Sequence, residues 1–239
     1  ISGTSADGIH VAADSFTLDD GARLGTQAVA GNTPPVTIGA GTVIVRGGGQ
    51  IHADTDSAAD AGDVTIDAVD SILVRGREAG DHGESGVYAT TTAPSAGGRG
   101  GRILLRAPEI AVERRGIVTA RTRGSGDAGE VSIEARTLRV EGASRGLEFL
   151  DGEYYDRFDV PRIEASARGA ASGGPGRIDV VASERVMLSG WDRWDEERAG
   201  LYVMPRDRNA DAERGSGILR VETPLLEVRD RATLNAMSQ

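Results

Sequence analysis

Gly124, Gly126 and Gly129 stand in "RGSGDAGEV" at the G-x-G-x-x-G spacing with which a backbone can cradle a pyrophosphate. That chemistry needs a strand, the loop and then a helix. Two other stretches, "ASRGLEFLDGEYYDRFDVP" and "GWDRWDEERAG", mix aromatic rings with Asp, Glu and Arg. Such a mixture can stack on sugars and bond their hydroxyls, anchor a protein contact, or bring two carboxylates together for glycosidic cleavage. His10, His52 and His82 are the imidazole candidates for a metal. Which of these chemistries is available depends on the elements that carry the residues.

Those elements follow from a repeat. Short apolar-x-apolar pairs recur in threes along the whole chain. First pairs begin at Ile9, Val36, Val64, Ile103, Val131, Ile178 and Leu219, at intervals of 27, 28, 39, 28, 47 and 41 residues. Second pairs begin at Phe16, Val43, Ile72, Ile110, Leu138, Val186 and Leu226. Third pairs begin at Leu24, Ile51, Val87, Val118, Ile163, Leu201 and Leu234. Alternation with period 2 marks strands with one buried face, and no helical spacing is sustained. Three short strands per unit, with turns rich in Gly, Asp and Ser, predict an all-β parallel β-helix over residues 1–239, one unit per coil. Seven such coils make a rod of about 34 Å at the ordinary strand spacing.

In that frame Gly124–Gly129 is the turn before a first strand, and "DSAADAGDV", "SAGGRGGRI" and "SGGPGRI" are its sister turns. A strand follows where a helix is required. The expected role of these glycines is turn geometry with positive φ. The histidines fall in different units and strands, so no metal and no cofactor is expected. An acidic loop such as Asp151–Asp159 is a calcium alternative.

Composition agrees with a solenoid. Aromatics are 4% of residues against 38% hydrophobic overall, as suits a narrow aliphatic core. Gly is 34 but Pro only 8, which excludes collagen. All 27 basic residues are Arg, none forms a cluster, and the net charge is −10, so nucleic acid is not an expected partner. With no Cys there is no disulfide, thiolate site or thiol nucleophile. No apolar run approaches the ~18 residues of a membrane span. The chain opens on Ile1 with neither an initiator Met nor a signal peptide, and reads as a fragment or a processed piece.

The phrases "GEVSIEARTLRVEGA", "GRIDVVASERVMLSG", "AGLYVMP" and "GILRVETPLLEVRDRATLNAMSQ" carry a resemblance. They resemble the repeats of filamentous-haemagglutinin-like large exoproteins, the passengers of two-partner secretion. The resemblance covers essentially the whole chain and is strongest in the last two units. It implies a right-handed coil and export as an unfolded chain through an outer-membrane pore. It further implies a secreted or cell-surface location and a role in adhesion. The lack of Cys fits such export. The Asn-Pro-Asn motifs of that family's secretion domain are absent, which places the chain downstream of it.

Insertions mark where contact can occur. Regular units set the third pair six positions after the end of the second, as from Val45 to Ile51, but Val74 to Val87 is 13, Val140 to Ile163 is 23 and Leu188 to Leu201 is 13. The inserted loops, about residues 75–86, 141–162 and 189–200, are expected to leave at one corner. Phe149, Tyr154, Tyr155, Phe158, Trp191 and Trp194 lie in them, and Tyr88 and Tyr202 lie beside them at outward positions. These eight are the candidate ligand-binding residues, for a glycan or a protein on a host or neighbouring cell. The alternative is a shaft without ligand, the aromatics capping the apolar outward stripe Ile44, Leu73, Ala111 and Met187. No catalytic residue is assigned. The outward columns Gly25, His52, Tyr88, Thr119, Glu164, Tyr202, Asn235 and His10, Thr37, Thr65, Leu104, Ser132, Asp179, Arg220 never stack two acids in adjacent units. A polysaccharide-degrading enzyme would need such a pair. The loop acids Asp151, Glu153, Asp156, Asp159, Asp192, Asp195, Glu196 and Glu197 read as solvated.

Overall fold

The computed structural model describes residues 7–29, 31–76, 84–93, 97–142, 160–167, 173–191, 197–203 and 217–236, and the backbone of 144–150 and 153–159. Among them there are strands and no helices, so the nucleotide loop lacks the helix it needs. Two parallel sheets run the length of the chain. Sheet one orders β1 (Ile9–Leu18), β3 (Val36–Val45), β5 (Val64–Arg75), β7 (Arg102–Glu113), β9 (Glu130–Glu141) and β13 (Arg177–Ser189), then β15 (Ile218–Glu222) and β16 (Leu225–Arg229), both on β13. Sheet two orders β2 (Arg23–Ala28), β4 (Gln50–Thr55), β6 (Gly86–Tyr88), β8 (Ile117–Thr119), β12 (Arg162–Glu164), β14 (Gly200–Val203) and β17 (Thr233–Ala236). An antiparallel hairpin, β10 (Ser144–Leu150) and β11 (Glu153–Asp159), stands apart from both. The architecture is all-β, parallel and solenoid-like.

The register reproduces the columns read from the repeat. Ile9, Val36, Val64, Ile103, Val131, Ile178 and Leu219 are successive partners. So are Phe16, Val43, Ile72, Ile110, Leu138, Val186 and Leu226. On sheet two, Leu24, Ile51, Val87, Val118, Ile163, Leu201 and Leu234 are in register. In the middle units these side chains are 0–1% exposed. Sheet two sets Ala53, Ala89, Ala120 and Ala165 beside its larger residues, all fully buried, which keeps the interior narrow and suited to aliphatic side chains. Burying each aliphatic side chain contributes about 1.5–3 kcal/mol.

The structure differs from three short strands per unit in one respect. The first and second pairs lie on one continuous strand. No turn separates them; the corner is taken by small residues and by register shifts at Ala40/Thr42, Asp67/Ser71 and Ala182/Arg185. Only the last unit divides, at Pro224 between β15 and β16. Pro108 at the equivalent place leaves β7 whole because β7 is held by a neighbour on each side.

The glycines need a second correction. Gly126 and Gly129 do not have positive φ. A Cβ on Gly126 would lie 2.2 Å from the Gly98 carbonyl oxygen, and one on Gly129 1.9 Å from that of Gly101. Gly173 and Gly176 repeat the pattern, at 1.9 Å from the Gly126 oxygen and 2.3 Å from the Gly129 oxygen. The turns stack so closely that backbone meets backbone. In these later units positive φ is found at the opposite corner, at Gly142 (90°) and Gly190 (132°), where two of the insertions begin.

Inside the glycine turns a column of buried threonines, Thr55, Thr91 and Thr122, continues to Ala167 by parallel bridges. Their hydroxyls donate to the carbonyls of Ala28, Arg99 and Gly98 at 3.1, 2.9 and 3.1 Å, so none is left unsatisfied. The outer face of sheet one carries ladders of alternating charge, such as Asp67–Arg106–Glu134 and Glu109–Arg136–Glu184. These pairs are solvent-exposed and each is worth at most about 1 kcal/mol; their arrangement keeps like charges from facing across strands.

Candidate functional site

Three of the links from sheet one to sheet two are longer than the rest of their kind. They follow β5, β9 and β13 and lead into β6, β12 and β14. The corresponding links after β1, β3 and β7 are tight turns. The strands that receive the insertions therefore lie close together in sheet two, with β8 between the first two.

Two of the eight aromatic candidates, Tyr88 and Tyr202, share a row on the outer face of sheet two, three strands apart. Tyr88, Thr119, Glu164 and Tyr202 are successive partners in one row. Phe149, Tyr154, Tyr155 and Phe158 belong to the hairpin, whose backbone register sets Phe149 opposite Tyr154, Glu148 opposite Tyr155 and Arg145 opposite Phe158. Trp191 closes an antiparallel bridge with Arg198, and the Arg231 guanidinium lies 3.8 Å from its ring centroid. Trp194 and His82 lie outside the described residues.

The centre of this face is ionic, which the outward columns alone did not reveal. Arg162 of β12 approaches Glu84 at 3.4 Å, Glu164 at 3.8 Å and Glu197 at 3.7 Å. Glu84 ends the first insertion, Glu197 ends the third, and Arg162 opens the strand after the second. All three insertion-bearing units thus converge on one guanidinium. The Glu164 side chain is only 4% exposed and also accepts a hydrogen bond from Ser166 Oγ. The acids meet on an arginine rather than across a sugar-sized gap. The signal in the sequence was Arg162 and Glu164 alternating with a buried Ile163 directly after an insertion.

Beside the cluster, Asp54 Oδ1 accepts hydrogen bonds from Thr90 N at 2.9 Å and Thr90 Oγ1 at 2.6 Å. His52 Nδ1 lies 3.9 Å from Asp54. Among the described residues no group of three His, Cys, Asp or Glu is placed to hold a metal ion. Burial pushes the Tyr88 phenol well above its ordinary range, with Glu84 adding to the shift. Burial lowers the Arg121 guanidinium pKa against the pull of Glu164, and the neighbouring Arg123 and Arg162 lower it further.

Tyr202 is pushed up to about 12, first by burial and then by Glu197, and its hydroxyl donates to the Arg198 carbonyl. Its folded-state pKa lies above the unfolded value near 10.0. The unfolded chain therefore loses this proton first as pH rises. Stability contributed by Tyr202 is full below pH 10 and is lost as pH rises towards 12. We expect Tyr202→Phe to flatten part of the alkaline fall in unfolding midpoint and to remove one late step from the phenolate absorbance titration. An unchanged alkaline profile in that variant would refute this placement of Tyr202.

No protein-family model matches the chain, and no curated protein or solved structure does.

Proposed function

We propose that this chain is a stretch of right-handed parallel β-helix, about seven coils long, from a secreted or cell-surface exoprotein of the filamentous-haemagglutinin-like class. In this reading it passes an outer-membrane pore unfolded and then serves as a rigid display element for adhesion. Its contact surface is the corner where extra chain leaves sheet one and enters sheet two, and its partner is a glycan or a cell-surface protein.

One observation carries the reading. The insertions of three units enter neighbouring parts of one sheet, and eight of the chain's nine aromatic residues lie in or beside them. The other links from sheet one to sheet two are tight turns with no such concentration, and loops on rigid scaffolds are where binding resides. The shaft reading is favoured by a different observation: Arg231 of the following unit already stacks on Trp191, as packing would require.

A glycan and extracellular-matrix screen separates the two. We expect the wild type to bind and a Trp191→Ala, Trp194→Ala, Tyr155→Ala variant of unchanged circular dichroism to lose that binding. No binding by either protein, with the variant clearly less stable, would make this stretch shaft.

A further inference from the structure

We propose that Arg121 anchors a site for the carboxylate of an acidic sugar on the outer face of sheet two. The inference rests on the contact reading above and names its ligand class. Arg121 follows β8 two residues after Thr119, so both lie on the outer face. The two differ from their surroundings. Arg162 has three carboxylates within 4 Å, whereas Arg121 forms no ion pair among the described residues, and its buried Nε has no hydrogen-bond partner. Thr119 is 1% exposed, and its Oγ1 likewise bonds to nothing. Glu164, the nearest acid in the row, is engaged by Arg162 and Ser166. Buried donors without acceptors are costly, and a guanidinium more so than a hydroxyl. What both groups lack is an acceptor, and a planar carboxylate fits a guanidinium with two oxygens.

The rest of the row selects a sugar as the bearer of that carboxylate. Tyr88 and Tyr202 are the partly exposed members of that row, offering rings on which a sugar can stack, with the buried Thr119 and Glu164 between them at about 4.8 Å per strand. That pitch is close to the length of one hexose in an extended glycan, so a chain lying along the rod presents one ring per strand. A peptide adding as a strand would need a free sheet edge, and β8 is paired on both sides. The net charge of −10 repels any polyanion at long range. At about 0.15 M salt that field is screened beyond roughly 8 Å, and the local guanidinium decides.

The test is calorimetric and NMR titration with tetragalacturonate and with its methyl ester, which keeps the rings and removes the charge. Binding of the free acid, weakened tenfold or more by esterification and by Arg121→Gln and partly retained in Arg121→Lys, is the expected result. Without ligand, Arg121→Gln should melt no lower than the wild type, because it removes a charge whose burial outweighs the pull of Glu164 and which forms no ion pair among the described residues. Absence of binding at millimolar acid, equal binding of acid and ester, or a fall of several degrees in the unliganded Arg121→Gln protein would each overturn the assignment. If the acid fails while other glycans or proteins still bind through Trp191, this site falls and the contact reading stands. If the acid binds through Arg121 and the corner-loop variant binds as the wild type does, the site stands and the loop reading falls.

Discussion

Gly129→Ala lowers the stability of the fold by an amount on the order of 3–5 kcal/mol, a cost usually met only in tightly packed cores. The new methyl carbon would start 1.9 Å from the Gly101 carbonyl oxygen, 2.7 Å from the Gly100 carbonyl carbon and 2.8 Å from its oxygen. All three are backbone atoms, so no side chain can swing away. Relief requires two turns to separate, and that strains the bonds Glu130 N–H to Gly101 O (3.2 Å) and Gly129 N–H to Ala120 O (3.2 Å). Gly21→Ala is the control. It meets nothing within 4 Å but has φ +72°, so it bears only backbone strain of about 1 kcal/mol. Urea unfolding of the two variants should therefore separate them by 2 kcal/mol or more. Equal midpoints would mean that the glycines serve φ, as the sequence alone led us to expect. The wild type should show no rise in melting temperature with millimolar dinucleotide, since a ligand bound by the native state would raise it.

The columns were legible because period-2 alternation and unit length are independent signals that agree. Each pair fixes which residues face inward, and the intervals fix which pair stacks on which. The regular units Val36–Ile51 and Ile103–Val118 made the register readable through the longer ones. The merging of first and second strands was not legible, since a bend through Gly39–Ala40–Gly41 looks like a turn in sequence. The glycines misled because turn residues are ordinarily read one chain segment at a time, whereas here the constraint comes from the neighbouring unit. Tyr88 and Tyr202 were found through their column. Arg121 was not, because an outward arginine among 27 reads as solvated. Glu84 and Glu197 end insertions whose path the repeat does not determine, so their meeting at Arg162 is not written in the pattern.

Arg162→Met should cost about 3 kcal/mol, and adding Glu164→Gln should restore most of it. The two outer acids, Glu84 and Glu197, are 38% and 33% exposed and can turn to water when the guanidinium goes. Glu164 at 4% exposure cannot. Its carboxylate would remain beneath the surface without the cation 3.8 Å away, and removing one member of a buried pair costs more than the pair contributes. A neutral amide at 164 keeps the shape and removes that charge. The pairwise coupling in a double-variant cycle should then exceed about 1 kcal/mol, the mark of residues acting in one network. Glu84→Gln in place of Glu164→Gln should rescue little, which assigns the penalty to burial rather than to net charge. If Arg162→Met falls within 0.5 kcal/mol of the wild type, as ordinary surface changes do, the cluster is a set of solvated pairs. The three insertions would then lack the shared anchor that holds their ends on one face.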